Sequence, residues 1–265
     1  MGKGWRFFTA VALSGLMMTA CGAAGTSTSG NGGTGGNAGG KAYKIGVDLE
    51  LTGPSSVWGE PQIHAVEMLV DEVNQKGGIN GTPIQLIKYD NQSKETESLV
   101  VAKKLVEQDH VLAIIGAGAT PTTMPLVPYV TQQKVPMVSV GSGDAIASPA
   151  SERKWVFKTP VSNQSISKKI SEYLKQKGWT RVGFLSVNNA YGESGKSEFE
   201  KTAQSYGIQI VSSERFGATD TDMKPQLTSV KNKSPDALVV WAIPPARNGV
   251  RRNPPHHRGI EVHQR

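Results

Sequence analysis

From Tyr43 the apolar residues first recur at every second position, with Ile45, Val47 and Leu49 in YKIGVDLEL marking the period of a strand. The spacing then lengthens to threes and fours. Ile63, Val66, Leu69, Val70 and Val73 share one helical face, Pro61 suits a first turn, and Gly77-Gly78 supplies the stop. PIQLIKY (83–89) reads as a second strand, and Ser93 is placed to cap a helix carrying Leu99, Ala102, Leu105 and Val106. Glu95 and Glu97 fall in that helix's first turn, where its dipole favours acids. A short buried strand follows at 111–115, then a helix opening at Thr120-Pro121 that Pro125 and Pro128 should kink, then a strand at 136–140. After Trp155 to Lys158 the pattern restarts, with helices near 162–177 and 193–206, strands at 181–187 and 208–212, a further helix, and the strand ALVVWA at 237–242. Strand alternating with helix predicts an α/β fold whose parallel sheets are covered on both faces, and the restart near residue 160 predicts two lobes. Ligands of such sheets sit outside the carboxyl ends of strands. Three loops lie there: LTGPSSVWGE (51–60), GAGATPTT (116–123) and VGSGDA (140–145).

Both ends of the chain break this rhythm. At the start, Lys3 and Arg6 precede an apolar run from Phe7 to Ala20, shorter than a bilayer-spanning helix needs, which reads as a signal peptide. Thr19 and Ala20 directly before Cys21 resemble a lipobox, with Met18 where that pattern prefers leucine. The resemblance implies that Cys21 is diacylated and becomes the mature N-terminus. GAAGTSTSGNGGTGGNAGG (22–40) contains no large apolar residue to offset chain entropy by burial, so it is expected to be a flexible tether. At the other end ALVVWAIPPA gives way to RNGVRRNPPHHRGIEVHQR, where Pro254 and Pro255 forbid the amphipathic helix due after a strand. Arginine, proline and histidine crowd there as in a gene read out of frame; a genuine basic tail is the alternative. The expected organisation is a signal peptide (1–21), a tether (22–41), a first ligand-binding lobe (42–160), a partial second lobe (161–245) and a divergent basic tail (246–265).

Charge changes the picture less than its total suggests. The 265 residues carry a formal net charge of +7, but Arg247, Arg251, Arg252, Arg258 and Arg265 against Glu261 place four of those seven charges in the tail. Elsewhere lysines are dispersed among acids, with no nucleic-acid stripe. A single cysteine excludes an internal disulfide and a thiolate metal cluster.

Enzymatic signatures fail on inspection. AYGESGKS (190–197) nearly spells a phosphate-binding loop, but Ala190 replaces its first glycine. GAGATP lacks the third glycine of a dinucleotide fingerprint and the acid that should follow it. No G-x-S-x-G occurs, and His64, His110, His256, His257 and His263 avoid the three loops. No catalytic residue, cofactor or metal is expected.

Together with VNQKGGING (73–81), the three loops resemble the leucine/isoleucine/valine-binding family of type I periplasmic binding proteins, over about Tyr43 to Ala242. The resemblance implies two Rossmann-like lobes with parallel sheets, the second lobe here incomplete. It implies that Thr120 and nearby amides hold the α-carboxylate of an amino acid. A helix N-terminus suits that anion, although capping alone would also account for a threonine. The matching segment for the α-ammonium is Gly141-Ser142-Gly143. Gly143 stands where the family bears a hydroxyl, so Ser142 or a water would substitute. Trp58 corresponds to an aromatic wall of the pocket and Tyr191 to an aromatic that closes over the ligand, with the lobes closing about a hinge near 158–161. The implied role is that of an extracytoplasmic lipoprotein of an ABC importer, acting as a monomer anchored to the cell membrane and delivering a branched-chain or related amino acid to its permease. A same-fold binder of amides, aromatic acids or short peptides, or a sensor for a membrane receptor, are the alternatives. The resembled proteins continue well past this length and supply there the acid that pairs with the ammonium. An unfinished cleft, exposed apolar sheet, and weak or absent binding are therefore expected of this chain.

Overall fold

The computed structural model describes residues 41–243 and the pair 261–262. Strand and helix alternate from the first described residues: β1 (Tyr43–Leu49), α1 (Ser56–Gln75), β2 (Ile84–Asp90), α2 (Glu95–Glu107), β3 (Ala113–Gly116), α3 (Thr120–Thr123), α4 (Leu126–Gln133), β4 (Met137–Ser139) and β5 (Val156–Lys158). A second series follows: α5 (Asn163–Gln176), β6 (Arg181–Val187), α6 (Ala190–Ser205), β7 (Gln209–Phe216), α7 (Lys224–Lys231), β8 (Ala237–Trp241) and β9 (Glu261–Val262). The first series forms one sheet in the order β2-β1-β3-β4-β5 and the second another in the order β7-β6-β8-β9. Every strand pair is parallel. The chain reverses direction across each sheet at one point, between β1 and β3 and again between β6 and β8. Those crevices are where such sheets receive ligands.

The two sheets are buried unequally. In the second, Phe184 stacks on Phe199 of α6 with ring centroids 5.2 Å apart, and β8 is buried along its whole length. In the first, one face packs Leu105 of α2 and Val127 and Val130 of α4 onto Ile114, Met137 and Val156. On the other face only Val47, Leu49 and Ile63 are fully buried in the cluster beneath α1. The register Val47↔Ile115, Ile115↔Val138, Val138↔Phe157 carries that face to β5. It ends at Phe157, which is 55% exposed. A parallel sheet ordinarily has both faces covered.

Several local expectations are corrected. Helix α1 starts at Ser56, so Pro61 lies in its interior rather than its first turn. The turn closed by Ser56 N–H to Gly53 O and Trp58 N–H to Ser55 O nucleates it earlier. Leu69, expected on the packed face, is 56% exposed beside Met68 at 65%, because the cluster beneath α1 closes on Ile63 and Val66 and does not reach it. Ser93 does not cap α2: the N-cap is Lys94, without a side-chain bond. The Ser93 hydroxyl instead donates to Thr52 O and accepts from Ser55 N–H. Helix α6 begins at Ala190, because the Asn189 side chain accepts from both Tyr191 and Gly192 N–H. The proline break after α3 occurs as expected, with Pro125 as the N-cap of α4. In the stretch expected to be a divergent tail, β9 pairs with β8 at Leu238↔Glu261 and Val239↔Val262. Ladder bonds are made by backbone, so no side-chain period announces them. The signal peptide, the tether and Cys21 lie outside the described residues.

Candidate functional site

Three buried or half-buried carboxylates shape the strand ends of the first sheet. Asp90, at the end of β2, accepts from Leu51 N–H (3.0 Å), Thr52 N–H (3.1 Å) and Gln92 N–H (2.7 Å). Burial pushes its pKa up, but these bonds and that of the Thr52 hydroxyl outweigh it and hold the carboxyl below the usual range. The 51–55 loop leading into α1 is thereby fixed to β2. Glu50, 1% exposed, accepts from Ala119 N–H and the Thr122 hydroxyl. A Cβ at Gly118 would fall 2.1 Å from Glu50 Oε2, so the small residues of GAGA let the β3–α3 loop press onto this carboxylate. Asp48, at the end of β1, is fully buried and takes bonds from Asn91 Nδ2 (2.9 Å) and the Ser98 hydroxyl.

Thr120 opens α3 on this support. Its Oγ1 accepts from Gly143 N–H at 2.9 Å, which leaves the hydroxyl hydrogen to donate to an anion. The departure at Gly143 has a steric cause: a Cβ there would lie 2.5 Å from the Thr120 methyl. Gly141 is also confined, with its added Cβ 2.9 Å from Ile146 and 3.0 Å from the Ala119 and Thr120 backbone.

The second sheet contributes Tyr191, at the N-terminus of α6. Its ring is 5% exposed and sits 6.0 Å from that of Trp241 on β8. Burial pushes the phenol up to about 12, against a hydrogen bond with the Ser142 side chain that pulls it down. The phenol and Ser142 thus join the two sheets directly.

These loops wall a cavity of ≈490 Å³, lined among others by Thr120, Met124, Asp144, Glu193, Ser194 and Glu198. Of the six expected ligand residues, Thr120 lines it. Gly143 touches Thr120, Gly141 lies against the same loop, and Ser142 meets Tyr191, so the structure brings five of the six to one place. Trp58 stands on the first turn of α1, 45% exposed. Lys158, expected at the hinge, donates to Ser142 O at 3.1 Å and pairs with Asp144 at 3.2 Å. Sequence reasoning missed Asp144, Asn163, Ser194 and Glu50. The one available signal was an acid directly after a Gly-Ser-Gly mouth loop.

The comparisons with known proteins agree with this fold. A family model described as "Periplasmic binding protein" matches residues 42–249. The chain is 26% identical over 192 residues to the leucine-, isoleucine-, valine-, threonine- and alanine-binding protein of Pseudomonas aeruginosa, covering 71% of this chain and 50% of that protein. It is 25% identical over 204 residues to the Leu/Ile/Val-binding protein BraC3 of Rhizobium johnstonii, covering 76% and 54%. Among solved structures it is similar to the branched-chain amino acid transporter substrate binding protein LivJ of Streptococcus pneumoniae in complex with isoleucine. The TM-score is 0.67 with 30% identity, covering 76% of this chain and 57% of that one. A solute binding protein of Rhodopseudomonas palustris in complex with 3,4-dihydroxybenzoic acid shares the fold, with a TM-score of 0.69, 22% identity and coverage of 80% and 58%. The chain spans about half the length of the curated relatives it matches.

Proposed function

Because the chain belongs to the periplasmic binding protein family, we propose that it is the ligand-binding part of an extracytoplasmic solute receptor. Its ligand is a branched-chain or related amino acid, delivered to a membrane permease of the ABC class. The observation that carries this reading is the meeting of Thr120, Gly143, Ser142 and Tyr191 at the crevices of the two sheets, beside a cavity. The Thr120 hydroxyl, oriented by Gly143 N–H, donates to the ligand carboxylate at the start of α3. The 141–143 loop, beside Thr120, is assigned to the ligand ammonium. Tyr191, held by Ser142, bounds the opposite side.

The test is a calorimetric titration of leucine, isoleucine, valine and 3,4-dihydroxybenzoate into the chain and into Thr120→Ala. A hydrogen bond to a charged group contributes about 1.5–3 kcal/mol, so the variant is expected to bind an aliphatic amino acid about tenfold or more weakly. Equal affinity for both proteins removes Thr120 from the site. Binding of the aromatic acid alone replaces the ligand class.

Attachment to the membrane is assigned to Cys21, on the adjoining apolar run and on a following stretch (22–40) with no large apolar residue. Cys21→Ala is expected to release the protein into the soluble fraction. A variant that still sediments wholly with membranes after a salt wash contradicts the lipid.

A further inference from the structure

Asp144 belongs to the first-sheet loop that carries Gly141, Ser142 and Gly143, yet its carboxylate and its backbone N–H both reach helices of the second sheet. Its carboxylate accepts from Asn163 N–H (3.1 Å, Oδ1) and Gln164 N–H (3.1 Å, Oδ2), the first two amides of α5. Of the amides of α5's first turn, the side chain of the local N-cap, Ser162, takes Ser165 N–H alone. A helix leaves its first four N–H groups without intrahelical partners. Two of those of α5 are therefore satisfied from across the structure, by a negative charge that the helix dipole favours.

The same residue makes two more ties. Its backbone N–H donates to Ser194 Oγ of α6 at 3.2 Å, and Asn163 Nδ2 donates to that same oxygen at 2.9 Å. Lys158 Nζ lies 3.2 Å from Asp144 Oδ1, and the two side chains are only 11% and 19% exposed. The lysine also donates to Ser142 O and to Pro160 O at 3.1 and 3.3 Å, binding the crossover segment to the loop. Asp144 and Ser194 both line the cavity that Thr120 enters. One carboxylate and one hydroxyl thus bridge the cavity's two walls.

We infer that Asp144 is a positioning residue: by capping α5 and holding Ser194 of α6, it latches the first-sheet loop to the second sheet and fixes the width of the cleft between them. The latch is made by protein groups alone. Its action does not depend on which ligand enters, and it stands or falls separately from the proposed ligand.

The test measures distance and exchange without ligand. With Cys21 replaced by serine, spin labels at Lys103 of α2 and Gln176 of α5 report the separation across the cleft, both positions being exposed. In Asp144→Ala the distance distribution is expected to lengthen and broaden, and the Asn163 and Gln164 amides to exchange at least tenfold faster at unchanged helix content. Asp144→Asn keeps an acceptor without the charge, and is expected to restore part of that protection. Ser194→Ala, which removes the ties to α6 while leaving the cap, is expected to broaden the distances without exposing the two amides. Should Asp144→Ala fail to fold, the Asp144→Asn and Ser194→Ala results decide. Distances and amide exchange unchanged from wild type in the folded variants would overturn the latch.

Discussion

Gly195→Ala is expected to destabilise the chain by about 3 kcal/mol, at the upper end of what overpacking a filled core costs. A Cβ on Gly195 of α6 would lie 2.0 Å from Trp241 Nε1 and 2.1 Å from Cε2. The indole cannot retreat. It is 1% exposed and lies between the rings of Phe184 at 6.3 Å and Tyr191 at 6.0 Å. Urea denaturation reads the loss as a lowered midpoint at unchanged slope. Gly195→Ala combined with Trp241→Phe should lose less than the two single changes together, because the smaller ring vacates the contested space. A single-variant loss below about 0.5 kcal/mol, the range of neutral surface changes, would contradict this packing. The same contact explains why AYGESGKS so nearly imitates a phosphate loop: its second glycine is there to admit a tryptophan.

Stability should also fall as pH rises from about 4 to 7, and Asp48 is the cause. Burial pushes this carboxyl up to about 7, against hydrogen bonds from Ser98 and Asn91 that lower it, with the charges of Glu50 and Asp90 raising it further. Between the ordinary value of 3.8 and about 7 the folded chain keeps a proton that the unfolded chain has released. Stability then declines with pH through that window and levels off above it. The difference of about three pH units corresponds to a contribution on the order of 4 kcal/mol. Asp48→Asn resembles the protonated form and keeps an acceptor for its neighbours, so its melting temperature should vary less between pH 4 and 8 than that of the wild type. A variant whose melting curve tracks the wild type across that range would place the proton elsewhere.

What could be read in the sequence was whatever local periodicity dictates. The strands Tyr43–Leu49 and Arg181–Val187 occupy the positions that alternation and apolar runs mark, and Gly77-Gly78 ends α1 within two residues. What could not be read depends on partners distant in the chain. Ser93 carries a capping residue's chemistry but faces Thr52 and Ser55, which only the folded β2 brings near. Leu69 has the helical phase of a core residue, yet it lies outside the cluster that packs beneath α1 and is 56% exposed. Asp144 passed as one more residue of the VGSGDA loop, because its meaning lies in the amides of Asn163 and Gln164. The expected ligand residues were placed by resemblance and their support by none: Glu50 and Asp90, which fix the two mouth loops, stand at strand ends with no motif to announce them.

The central claim is that the crevices of the two sheets form an amino-acid site at Thr120, the 141–143 loop and Tyr191. The most direct test is to titrate leucine into the 265-residue chain and follow backbone amide chemical shifts residue by residue. Even weak binding is visible in this way. The account predicts shifts that saturate together and are largest at Thr120, Gly141, Ser142, Gly143 and Tyr191. Saturating shifts confined to other surfaces, with none at these five residues, would contradict it.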